Sequence, residues 1–196
     1  MSVRTVRAYI GLGANVGDAA GTLAWSVGAI DDLPGVRVRG VSRLYATAPW
    51  GVIDQPEFRN AVVAADVWLS PLDLLSALKS IEREAGRRQR RRWGPRELDL
   101  DLLVYGRQRV DVERTASARS VDPAKSVKRL QVPHRDLGER LFVLAPLADL
   151  APGLVPPGWS TTVETRRGVV AATEPPGSVR VVGEWDPASQ SWRRRA

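Results

Sequence analysis

Cysteine is absent from this 196-residue chain, and histidine occurs once, as His134. The first absence excludes a disulfide framework and thiolate metal sites. The second excludes a His-rich zinc centre and any mechanism shared between two histidines. A metal would have to be held by oxygen, which favours hard ions such as magnesium. Long apolar runs are also missing. No stretch approaches the length needed to span a bilayer, and the opening Met1-Ser-Val-Arg-Thr-Val-Arg7 lacks the apolar core of a signal peptide. The expected location is therefore the cytoplasm, with no membrane partner. Lysine is scarce, with only Lys79, Lys125 and Lys128 among 29 basic residues. The remainder are arginines, whose planar fork of donors suits phosphate.

What is present is ordinary in bulk. Hydrophobic residues make up 43% and charged residues 26% of the chain, as in a globular protein with one main core and room for a small appendage. The formal charge of +7 is unevenly spread. Between Gly86 and Arg96, Arg-Arg-Gln-Arg-Arg-Arg-Trp-Gly-Pro-Arg places six arginines in ten residues. Such a run repels itself unless something anionic arrives.

Periodicity gives an order of elements. Ala8 to Leu12 reads as a short buried strand ending in glycines, and Leu23, Val27, Ile30 and Leu33 recur at helical spacing before Pro34-Gly35. Val36 to about Ala46 reads as one strand, Thr47 to Glu57 as a loop, and Asn60 to Trp68 as another strand. Ser70-Pro71-Leu-Asp73 carries a cap, a first-turn proline and an acid three residues on, so a helix follows with Leu74, Leu75, Leu78 and Ile81 inward. Leu98 to Tyr105 is a strand and Asp136 to Leu150 a helix. The first six elements match a split βαβ, ferredoxin-like arrangement, an α+β fold with helices on an antiparallel sheet. Residues 107–128 read as a long connection. Residues 1–150 are expected to form the catalytic domain, and 151–196 an extension that packs on it or is partly mobile.

Two phosphate-binding signatures nearly form and are rejected. In Gly11-Leu-Gly13-Ala-Asn15-Val-Gly17 the third glycine of a dinucleotide fingerprint comes one place late, without a parallel βαβ repeat. Gly35 to Ser42 has P-loop spacing, but valine stands where lysine is required. The constellation that remains is Arg92-Trp-Gly-Pro-Arg96-Glu-Leu-Asp99-Leu-Asp101-Leu-Leu. On a strand Asp99 and Asp101 share one face while Leu98, Leu100 and Leu102 share the other. Residues two apart lie about 6.6 Å along a strand, which lets two carboxylates bracket a pair of magnesium ions roughly 4 Å apart. The arginines just before them supply charge for phosphate oxygens that the metals leave uncovered.

These residues resemble the signature of the 6-hydroxymethyl-7,8-dihydropterin pyrophosphokinase family, folate-pathway enzymes with a ferredoxin-like fold that move pyrophosphate from ATP to a pterin alcohol. Three further blocks resemble the same family in the same order: Tyr9 to Asp18; Tyr45 to Gly51 with Asp54 to Asn60; and Val132 to Asp136 with Arg140 to Leu147. The resemblance implies that Asp99 and Asp101 ligate two magnesium ions with ATP and that Arg96 contacts the transferring phosphates. It implies ATP contacts at Glu82, Arg87, Arg92, Trp93, Leu102, Arg129, His134 and Arg140. The reduced pterin is expected between the rings of Phe58 and Phe142, the only phenylalanines in the chain, with Asn60 and groups near Thr47, Ala48 and Trp50 at its polar edge. Ala48, Phe58 and Gln131 depart from the usual proline, tyrosine and threonine. The expected partners are small molecules and not nucleic acid, and the expected state is a monomer. An RNA-binding module is the main rival, but aromatics should then line the central strands. A D-x-D glycosyltransferase would need a larger nucleotide-sugar domain.

Overall fold

The computed structural model describes residues 5–48, 55–86, 96–119 and 129–194. Strand β1 (Val6–Ala14) alternates in a way that decides the architecture. Ala8, Ile10, Leu12 and Ala14 are buried on one face, against helices α1 (Ala19–Asp31) and α2 (Pro71–Glu84). Tyr9, Gly11 and Gly13 fall on the other. Both helices begin as their sequences dictate. The Asp18 side chain accepts the Gly21 N–H at 2.9 Å, and Ser70 Oγ accepts the Asp73 N–H at 3.2 Å ahead of Pro71.

Strand β2 (Val36–Val41) and strand β3 (Leu44–Thr47) both pair with β4 (Phe58–Val67), and β4 and β5 (Asp99–Tyr105) flank β1. All four junctions are antiparallel, and α1 and α2 cover one face, so the expected α+β, ferredoxin-like core is present. The single strand expected over residues 36–46 is two. Ser42 interrupts it, because its hydroxyl takes the Val62 N–H at 2.9 Å in place of a backbone ladder bond.

The second core lies on the opposite face. Helix α3 (Leu141–Leu150) and helix α4 (Val163–Ala171) close it, with Leu137, Leu144, Leu147 and Val163 packed beside Tyr45, Val62 and Leu103. The helix expected from Asp136 begins only at Leu141, since the Leu137 N–H turns back onto the His134 carbonyl at 2.9 Å. The stretch expected to be a bare connection contains β6 (Val110–Glu113), which pairs with β7 (Arg129–Val132), and a 3₁₀ turn at Ala116–Ala118. Beyond residue 150 the chain is not peripheral. Strand β8 (Val179–Asp186) pairs with β3, and β9 (Ser191–Arg194) pairs with β8, which extends the sheet to seven strands in the order β5-β1-β4-β3-β8-β9, with β2 beside β4. Trp185 and Trp192 meet edge to face at 4.7 Å, and Trp192 Nε1 donates to the Ser42 carbonyl at 2.9 Å. Among the described residues no helix is long and apolar enough to cross a membrane.

Candidate active site

Asp99 and Asp101 stand on β5, with Leu98, Leu100 and Leu102 buried in the core under α1 and α2. Among the described residues the strand is at the edge of the sheet, so the outward N–H and C=O of Leu100 meet no neighbouring strand there. Helix α2 supplies their partners. Glu82 accepts the Leu100 N–H at 2.7 Å, and Lys79 donates to the Leu100 carbonyl at 2.6 Å and to Glu82 at 2.5 Å. Lys79 Nζ also lies 3.8 Å from Asp101 Oδ1. A buried ion pair thus grips the one residue between the two carboxylates. Sequence reading placed Glu82 against ATP. At 1% exposure its side chain also braces β5 beneath the site. Leu102, expected to touch ATP, points its side chain into the core at 2% exposure, so only its backbone can meet a ligand.

The register across the sheet defines the space beside the carboxylates. Gly13 lies between Asp99 on β5 and Asn60 on β4, and Gly11 between Asp101 and Val62. No side chain stands on β1 at those two positions; Leu103 fills the space over Gly11, 3.3 Å from where a Cβ would stand, so the way from the acid pair to Asn60 runs over Gly13. A Cβ on Gly13 would come within 3.3 Å of Asn60 Oδ1. Asn60 is itself buried and donates to Thr47 Oγ1 at 2.9 Å, which fixes the amide. Phe58 begins β4 opposite Thr47 and on the same face as Asn60.

Asn15, 2% exposed, joins the two halves. Its side-chain oxygen accepts the Arg96 N–H at 2.7 Å, and its backbone N–H donates to the Arg96 carbonyl at 2.9 Å. Its amide nitrogen reaches Gln55 Oε1 at 3.2 Å and the Pro56 carbonyl at 3.1 Å. Arg96, so anchored, makes an ion pair with Asp99.

Further cations come from the other side. Arg114, in the stretch expected to be a plain connection, donates to the Arg129 carbonyl at 3.0 Å and feels Asp101, Glu82 and Asp99. Burial lowers its pKa more than those carboxylates raise it. Arg129 is held by Asp111, at 2.6 Å to its carboxylate and 2.9 Å to its carbonyl. The His134 N–H donates to the Leu103 carbonyl at 2.8 Å, and its Nδ1 accepts the Asp136 N–H at 3.3 Å, which assigns the imidazole proton to Nε2. Arg140 donates to Asp136 at 2.6 Å and lies 5.8 Å from the Phe142 ring centroid. Helix α3, which carries Phe142, is fastened to β3 by Asp149. Asp149 receives Arg43 and the Tyr45 hydroxyl, the latter at 2.9 Å. Burial, then the Asp149 carboxylate, raises the Tyr45 pKa, so the phenol keeps its proton.

Thr47, Phe58, Asn60, Arg96, Asp99 and Asp101 are thus brought to one end of one face, and Ala48 is exposed at the end of β3. Phe58 and Phe142 are half-buried and not in ring contact with each other. Trp50, Arg87, Arg92 and Trp93 lie outside the described residues. The residues missed by sequence reading are Lys79, Arg114 and the bridging role of Asn15. Lys79 and Glu82 are three apart on a helix, which is a readable signal, but their burial is not. Among the described residues no group of three or more His, Cys, Asp or Glu could hold an ion alone. Two carboxylates on one face suit magnesium that takes its remaining ligands from nucleotide phosphate and water.

Comparison with known proteins identifies the family. The sequence profile of the 7,8-dihydro-6-hydroxymethylpterin-pyrophosphokinase (HPPK) family matches residues 9–152. The chain is 45% identical over 175 residues to the 2-amino-4-hydroxy-6-hydroxymethyldihydropteridine pyrophosphokinase of Methylorubrum extorquens, covering 89% of this chain and 98% of that protein. It is 45% identical over 148 residues to the enzyme of the same name from Pseudomonas aeruginosa, covering 76% and 82%. Among solved structures, wild-type HPPK-DHPS of Plasmodium falciparum superposes with a TM-score of 0.74 at 13% identity, which speaks to the fold alone; the match covers 97% of this chain and 48% of that longer one. Taken with the paired aspartates on β5 and the glycines of β1 beside them, these matches show that the chain belongs to the 7,8-dihydro-6-hydroxymethylpterin-pyrophosphokinase family, ATP-dependent pyrophosphokinases of folate biosynthesis.

Proposed function

We propose that Asp99 and Asp101 hold two magnesium ions with ATP while the hydroxymethyl oxygen of the reduced pterin attacks the β-phosphorus in line and AMP leaves. The overall reaction is that of the family, pyrophosphate transfer from ATP to 6-hydroxymethyl-7,8-dihydropterin. The observation that carries the site assignment is the register: both aspartates face the glycine-bearing stretch of β1, and Asn60 and Thr47 lie across it. Bound magnesium would supply charge neutralisation on the phosphates. The protein's own part is positioning and electrostatics, which dominate phosphoryl-type transfer.

In this reading Arg96, anchored through Asn15, steers the transferring phosphates. Arg129, His134 and Arg140 contact the nucleotide, as do Arg87, Arg92 and Trp93 from the arginine-rich segment. His134, with its proton on Nε2, donates to phosphate. The pterin ring lies between Phe58 and Phe142, with Asn60 and the backbone around Thr47, Ala48 and Trp50 at its polar edge; offset ring contacts add to plain burial. Residues 1–150 act as the catalytic domain, in a monomer acting on small molecules. A cytoplasmic location is in keeping with the absence of cysteine. The test is incubation with magnesium, ATP and reduced hydroxymethylpterin. AMP should appear in step with the pterin diphosphate, and Asp101→Ala should lower kcat by about 10²-fold or more. Release of ADP, or wild-type turnover by that variant, would refute the assignment.

A further inference from the structure

The assigned reaction leaves β8 and β9 without a role, yet β8 lies directly behind the pterin side of the site. Thr47 pairs with Phe58 on one side and with Val179 on the other, and Ala46 pairs with Arg59 and Arg180. By strand alternation Thr47, Phe58 and Asn60 face the site, while Arg59 and Arg180 face away on either side of Ala46. Two guanidinium groups flanking one small residue would repel each other. Glu57 is the charge that reconciles them. Arg180 Nη2 donates to both of its carboxylate oxygens at 2.7 Å, and Arg59 Nη1 reaches it at 3.4 Å. The Arg180 guanidinium holds the Glu57 carboxyl below the usual carboxylate range.

We infer that the Arg180–Glu57 pair makes the β8–β9 hairpin a positioning element of the pterin site. The residues on either side of Phe58 are Glu57 and Arg59. With both drawn to the back face by charge, the Phe58 ring is held to the front. The pair thereby fixes the rotation of the strand end that presents Phe58 and sets the Thr47–Asn60 hydrogen bond. Phe58 is the first residue of β4, where strand ends otherwise fray, so a lateral anchor has its largest effect there. Strand β5, which carries the aspartate pair, is separated from β8 by β1, β4 and β3, so nucleotide binding is insulated from the anchor. The inference rests on the pterin reading of the Phe58 and Asn60 end.

The experiment compares wild type with Arg180→Gln, Arg180→Lys, Glu57→Gln and the double variant Arg180→Gln/Glu57→Gln. Arg193→Gln serves as control, because Arg193 pairs with Asp186 in the same hairpin at 2.5 Å and touches no assigned ligand residue. Fluorescence titration with 6-hydroxymethylpterin in the presence of a non-hydrolysable ATP analogue reads pterin binding directly, and steady-state assays separate the two KM values. Arg180→Gln and Glu57→Gln should each weaken pterin binding about threefold to tenfold. The KM for ATP and kcat should stay within twofold, Arg180→Lys should recover part of the loss, and the double variant should be no worse than either single one. The control should match wild type in pterin affinity. Wild-type pterin binding together with unchanged binding in Arg180→Gln would overturn the inference alone, as would an equal rise in both KM values. Absence of pterin binding by the wild-type protein would overturn the pterin reading and the inference with it.

Discussion

Lys79→Met is the perturbation with the clearest physical consequence. The Lys79 and Glu82 side chains are only 4% and 2% exposed, so neither charge is screened by water. Methionine keeps nearly the same volume, and the cavity contribution is therefore small. What is lost is one partner of a buried ion pair, together with the donor that reaches the Leu100 carbonyl at 2.6 Å. Removing one partner of such a pair costs about 3–5 kcal/mol. A chain of this size loses roughly 2–4 °C in Tm per kcal/mol, so the expected shift is roughly 6–20 °C downward. Thermal unfolding followed by circular dichroism measures that shift, and urea unfolding followed by tryptophan fluorescence measures the free energy. The second variant, Lys79→Met/Glu82→Gln, removes the carboxylate that faced the lost cation and retains an oxygen for the Leu100 N–H. It should be more stable than Lys79→Met by at least about 1 kcal/mol. A Lys79→Met stability within about 1 kcal/mol of wild type, or a double variant worse than the single one, would refute the brace.

Gly13→Ala should lower kcat/KM for the pterin about threefold to tenfold by pressing its Cβ onto Asn60 Oδ1 at 3.3 Å. Its unfolding free energy should be unchanged or higher by about 0.4–1 kcal/mol, because alanine restricts the unfolded chain. Unchanged pterin kinetics would mean that the Gly13 position is not part of the site. Acid should destabilise the protein in a defined window. Asp66, bonded by Arg39 at 2.7 Å and Arg7 at 2.9 Å, has its carboxyl held below the ordinary value by those two arginines. A lowered folded pKa means that stability is fully present above the unfolded value, near pH 4, and is lost as pH falls through the folded value. Thermal unfolding between pH 6 and 2 should show that fall, and Asp66→Asn should flatten part of it while costing less than about 1 kcal/mol at pH 7. An acid limb identical in Asp66→Asn and wild type would exclude Asp66 as a contributor.

What could be read in the sequence follows from the range of the interactions involved. The Asp99 and Asp101 face is set by strand alternation, and the α2 start by Ser70, Pro71 and Asp73, all within four residues of each other. Both are local and both were legible. The split of β2 from β3 was not, because it depends on a Ser42 hydroxyl meeting Val62, twenty positions away. Arg114 and Lys79 carry no local signal that sets them apart from other basic residues. Only the pairing of β6 with β7 and the open edge of β5 turn them toward the carboxylates. The strands of the tail were hidden for a different reason. Prolines and glycines cluster from Ala151 to Gly158 and from Pro175 to Gly177, and they punctuate the elements without abolishing them.

The same distinction explains how the site is built. Residues that would touch substrate lie in four short blocks that carry local signals, and each block gains its orientation from contacts far away in sequence. Asn15 bonds Arg96, 81 positions on, and Pro56, 41 positions on. Tyr45 meets Asp149 across 104 positions, and Arg180 meets Glu57 across 123. A site tolerant of only small displacements needs such bonds, since loss of about 1 Å of alignment can cost 10²-fold in rate. The two classes of residue should therefore fail differently. Loss of an aspartate on β5 should remove turnover with little change in folding, because in the proposed assignment its carboxylate serves the ligand. Loss of Asn15 should disturb the Arg96 side and the Gln55–Pro56 side together, because a single buried amide holds both.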